Sequence, residues 1–144
     1  MRFDQSQLMG AAVILPAAAY NADNTPATVD LGTAQSATVL IEVGVGGITF
    51  TTTNKVEFVL SHSDEASANF TAVAQAEVVG PTGVTSGIVR SLVAAHGTPS
   101  VTRVGYVGRK RYLRLLADFS GTHGAATPLS AVVVTEMLDR IAPA

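Results

Sequence analysis

The chain has 144 residues, of which 47% are hydrophobic and only 14% charged, with a net charge of −2 and no cysteine. That is the size of one domain able to bury a core, and the lack of cysteine excludes disulfides, cysteine-ligated zinc, iron–sulfur clusters and thiol catalysis together. About a quarter of the residues of a soluble monomer are normally charged, so the apolar surplus implies surface buried against other chains, as in an oligomer or an assembly component.

From the N-terminus, "MRFDQSQLMGAAVILPAAAYNADN" shows no strand period and contains Pro16. Its longest apolar run is far short of the roughly 20 residues of a membrane span, so no membrane partner is expected. Asp4 lies where a signal peptide would be basic, and the segment reads as mature sequence. Phe3, Leu8, Met9, Val13, Ile14, Leu15 and Tyr20 make it too apolar for a disordered tail. Residues 1–24 are therefore expected to form an extended arm lying over a neighbouring surface, either of the chain's own body or of another subunit.

Residues 25–144 read as one β-domain. "SATVLIEVGV" (Ser36–Val45) and "KVEFVLSHS" (Lys55–Ser63) are rich in β-branched residues, and in the second Val56, Phe58 and Leu60 alternate with Lys55, Glu57 and Val59. "GITFTTT" fits a strand or a bent connection, "SDEASANF" a polar turn, and "FTAVAQAEVVG" a strand or one helical turn. "SGIVRSLVAA", "VTRVGYVG", "RYLRLLADFSG" and "PLSAVVVTEML" add four strands, punctuated by glycine and proline. About eight short strands predict an all-β protein, a single antiparallel β-sandwich or jelly-roll with an extended N-terminal arm.

Sites of chemistry are scarce. His62, His96 and His123 fall in turn-like stretches without metal-ligand spacing, and Asp64 fits a turn cap better than a ligand. No nucleophile elbow or Ser-His-Asp order is recognisable. The glycines of "VGVGGITF" lack a phosphate-loop frame and fit a bulge or a tight bend. No enzyme activity, cofactor or metal is expected.

Charge is segregated. Between Val78 and Ala117 there are six basic residues and no acidic one, whereas the remainder carries three basic and eleven acidic residues. Strand parity turns Leu113, Leu115, Ala117 and Phe119 to the core and Tyr112 and Arg114 outward. Gly108-Arg109-Lys110 is expected at the tip of a tight hairpin. Nucleic-acid binding would need aromatics interleaved with cations over a broad basic face, so Arg109, Lys110, Tyr112 and Arg114 fit a protein–protein contact better.

"KVEFVLSHSDEASANFTAVAQAEVVG" and "VGYVGRKRYLRLLADFSGTHGAATPLSAVVV", with "LPAAAYNADNTPATVDLG" before them, resemble framework segments of small virion proteins of tailed bacteriophages. The likeness spans about residues 14 to 135. It implies a capsid decoration (cement) protein on the capsid exterior, bound to the phage major capsid protein and forming a homo-oligomer, a trimer at local three-fold positions. Other readings are a head–tail connector or tail protein and, from "KRYLRLLA", a carbohydrate-binding jelly-roll module. Candidate interface residues are Arg2, Phe3, Leu8, Ile14, Tyr20, Arg109, Lys110, Tyr112 and Arg114.

Overall fold

Residues 6–136 are described in a computed structural model of the chain. Ten strands follow one another: β1 (Met9–Tyr20), β2 (Val29–Asp30), β3 (Ser36–Val43), β4 (Lys55–Ser63), β5 (Thr71–Ala72), β6 (Val78–Val79), β7 (Ile88–Leu92), β8 (Ser100–Tyr106), β9 (Tyr112–Ser120) and β10 (Thr127–Glu136). A 3-10 turn, Gln75–Glu77, stands between β5 and β6. The segment "FTAVAQAEVVG" thus supplies both the strand pieces and the helical turn that its composition left open.

The strands form two antiparallel sheets packed face to face, as expected for an all-β sandwich. One sheet, here the apolar sheet, has the order β1-β10-β3-β8-β6. In the other, the polar sheet, β2, β9 and β4 lie side by side, and both β5 and β7 pair with the far side of β4. Apart from β4–β5, every connection between successive strands crosses from one sheet to the other. Sequential strands are therefore stacked more often than paired.

Strand parity builds the core. Val56, Phe58 and Leu60 of β4, Leu113, Leu115 and Ala117 of β9, and Val39, Ile41 and Val43 of β3 are wholly buried. Alternation places every second residue on the inner face, so the period read from the sequence carries directly into packing. Removing a side chain the size of Phe58 from such a core costs about 3–5 kcal/mol. The glycine run after β3 makes the bend to the polar sheet, with Gly46 and Gly47 at positive φ (138° and 83°).

Two expectations need correction. Residues 9–20 are not an arm laid over the body but a strand of the apolar sheet, paired with β10 from Met9↔Glu136 to Tyr20↔Thr127. Register shifts on either side of Leu15 explain the missing period: bulged residues break alternation, so adjacent Ile14 and Leu15 are both fully buried. Nor is there a hairpin at Gly108-Arg109-Lys110. β8 and β9 lie in different sheets, and residues 107–111 carry the chain between them.

Candidate interaction surfaces

The basic loop is built around Tyr106, the last residue of β8. Its ring turns into the core at 6% exposure, and its hydroxyl accepts the Lys110 backbone N–H at 3.1 Å. The same hydroxyl lies 2.8 Å from His62 Nδ1. The other ring nitrogen, His62 Nε2, faces Glu77 Oε2 at 3.6 Å. Burial raises the Tyr106 pKa, an effect that Glu77 and Asp64 reinforce and the Lys110 N–H opposes. His62 is thus not in a turn; it is a buried residue of β4 tied to the loop.

Acidic residues from the flanking segments meet the basic ones. Arg111 donates from Nε to Asp30 Oδ1 (2.8 Å) and from Nη2 to Asp30 Oδ2 (2.9 Å). This fork and the Gly32 N–H hold the Asp30 carboxyl down at about 2 and raise the Arg111 guanidinium further. Lys110 Nζ pairs with Asp64, so Asp64 serves the loop, and the Ser63 hydroxyl, accepting the Glu65 N–H at 3.0 Å, makes the turn cap. Arg114 donates to Thr28 Oγ1 (2.8 Å) and lies 4.0 Å over the Phe70 ring, while Arg111 flanks the Tyr112 ring at 5.3 Å. The charge segregation of the sequence is thus partly closed within the chain, through Lys110 and Arg111. Arg109 is exposed and makes no ion pair among the described residues.

The expected interface residues are scattered. Arg2 and Phe3 lie outside the described residues. Ile14 is at 0% exposure and is core, corrected from interface, because the bulge turns it inward. Leu8 is half-buried, and Tyr20 packs on the core with its hydroxyl donating to the Pro16 carbonyl at 2.6 Å. Tyr112 and Arg114 sit on the outer face of the polar sheet, away from β1.

A second surface is more coherent. On the outer face of the apolar sheet the pairing puts Val13, Val132, Leu40 and Arg103 in one row. The next row runs Ala11, Val134, Thr38, Gly105 and Val79. Val13, Val79 and Val101 are 56%, 60% and 62% exposed. Glu42, Arg103 and, at its end, Glu136 are the charges of this face, and a cleft of about 360 Å³ beside Glu42 runs between Ala17, Pro128 and Ser130. The outer face of the polar sheet carries Lys55, Glu57, Ser61, Tyr112, Arg114 and Asp118 around one apolar row, Leu116, Val59 and Ile88. Part of the signal for the apolar face was present in "AVVV", apolar at both strand parities, where a strand with one wet face would alternate.

Among the described residues no three His, Asp or Glu side chains gather as a metal site. His96 Nε2 is 3.5 Å from the Val43 carbonyl, while His123 Nε2 donates to the Ser120 carbonyl (2.9 Å) with its ring packed edge-on against Phe119. These histidines tie loops to strands. No protein-family model, no curated protein and no solved structure matches the chain.

Proposed function

We propose that this chain is a non-enzymatic structural protein that decorates and stabilises a tailed-phage capsid, bridging neighbouring major capsid subunits from the capsid exterior. The observation that carries the reading is the outer face of the apolar sheet, where Val13, Val101, Val132 and Leu40 sit in rows across a rigid sandwich. Large contiguous apolar surfaces on small domains serve as contact sites. A specific attachment buries roughly 1,000 Å² or more, so the contact would have to take in much of this face. Repetition of one contact over a particle makes modest single-site affinity sufficient. The resemblance of the β4–β5 and β8–β10 segments to phage virion proteins supplies the particle.

Bridging across subunit boundaries means that separating capsid subunits also breaks this protein's contacts. Particles with and without the protein, heated or osmotically shocked, should rupture at different thresholds, the decorated ones later. Equal thresholds would remove the stabilising role. Copy number separates the location: hundreds of copies per particle fit decoration, and a ring of six to a few dozen fits a connector or tail.

A further inference from the structure

The chain closes most of its sheet edges with its own parts. β9 is covered by β2, and beyond it the Asn24 side chain accepts the Ala117 N–H (2.7 Å) and donates to the Leu115 carbonyl (3.1 Å). Asp23 Oδ1 accepts the Phe119 N–H at 2.7 Å. β8 is covered at Gly105 and Tyr106 by the two-residue β6, which stops at Gly80 with φ of 110°. The far side of β4 carries only β5 and β7, of two and five residues. Short edge strands and side-chain covers are how sheets avoid joining other sheets.

β1 is left different. It is the terminal strand of the apolar sheet and 12 residues long, and no residue of "MGAAVILPAAAY" carries a charge. Its second half is already irregular, with Pro16 lacking an N–H and the Pro16 carbonyl taken by Tyr20. Its first half, Met9–Val13, pairs regularly with β10 and is exposed on both faces. No described residue pairs with its outer edge.

We propose that Met9–Val13 pairs antiparallel with the same segment of a second copy, across a two-fold axis at Ala11, joining two five-stranded sheets into one continuous sheet. A second copy suits this edge because the pairing is self-complementary. Met9 then faces Val13 and Gly10 faces Ala12, so apolar meets apolar on both faces and no like charges oppose. A contact of a patch with itself generates a two-fold dimer. The three-fold ring implied by the family resemblance would need a second, different edge; at the far side of this sheet that edge is β6 with the part of β8 it leaves unpaired, and it carries Arg103. The joined sheet also continues the apolar outer rows across the axis, doubling the attachment face. Dimerisation is a property of the free protein, so its failure leaves the capsid reading standing, and the reverse.

The chain has no cysteine, so one added thiol is unique. Residues directly opposite in an antiparallel pair have Cα atoms about 4.5–5.5 Å apart, inside the range of about 4.4–6.8 Å for a disulfide. The full-length protein is expected to sediment as a dimer at micromolar concentration. The Ala11→Cys variant should oxidise rapidly to a covalent dimer, while the Ser91→Cys variant, altered on the β7 edge, stays largely uncoupled. Val13→Lys should weaken the dimer about ten-fold or more, with the circular dichroism of the fold unchanged, because an edge lysine blocks strand addition. A wild-type monomer, or an oligomer in which the Ala11→Cys variant couples no faster than the Ser91→Cys variant, would overturn the proposal.

Discussion

Asp30 and Arg111 are both largely exposed, a setting in which an ion pair adds little net stability. Their fork geometry still depresses the Asp30 pKa from 3.8 to about 2. A depressed carboxylate contributes stability that is fully present above its unfolded value and is lost as pH falls through the folded one. Urea midpoints of the wild type should therefore fall between about pH 4 and pH 2 through this group, and Asp30→Asn should show a shallower decline over that window. Identical slopes would place the acid sensitivity elsewhere. Tyr106→Phe removes the bond to His62 and orphans the Lys110 N–H, for which about 1–3 kcal/mol of destabilisation is expected in chemical denaturation. At this scale the sequence disclosed direction but not partnership. Parity pointed Arg114 outward and Leu113 and Leu115 inward, but the separation of 81 residues between Asp30 and Arg111 leaves no local pattern to read.

β1 shows where strand periodicity stops being informative. Alternation requires one wet and one dry face, and β1 has both faces exposed over Met9–Val13 and then two consecutive buried residues at a bulge. An Ala-rich segment containing proline consequently resembles a loose arm, although its Ile14 and Leu15 are among the most buried side chains of the molecule. Ile14→Ala should cost about 2–5 kcal/mol in equilibrium unfolding. A loss under about 1 kcal/mol would mean that β1 does not belong to the cooperative core. The basic turn has a related explanation. Two strands joined by a short loop look like a hairpin in sequence, whether the loop turns back within a sheet or crosses to the next. Burial of Tyr106 beneath the loop and its bond to Lys110 accompany the crossing, and neither has a signature in local composition.

For the whole molecule, the fold class was legible because turn residues separated short β-branched runs, and β3, β4 and β7 to β10 formed close to where the pattern put them. The surplus of apolar residues was legible too, and part of it lies on the surface as exposed valines. Its location was not, since it depends on which strands are neighbours: Val13, Val132 and Leu40 come from three distant segments and become one row only through the order β1-β10-β3. The resulting molecule is two-sided, with a largely apolar outer face on one sheet, a more polar one on the other, and a loop in which Lys110 and Arg111 pair with Asp64 and Asp30. Cosedimentation of purified variants with capsids stripped of the protein tests the proposed attachment face most directly. Val101→Lys, at a residue 62% exposed on the apolar sheet, should lose binding by about ten-fold or more, as expected for a charge set into an apolar contact. Leu116→Lys, on the outer face of the polar sheet, should bind as the wild type does. Undiminished binding by Val101→Lys, with loss in Leu116→Lys, would contradict the assignment.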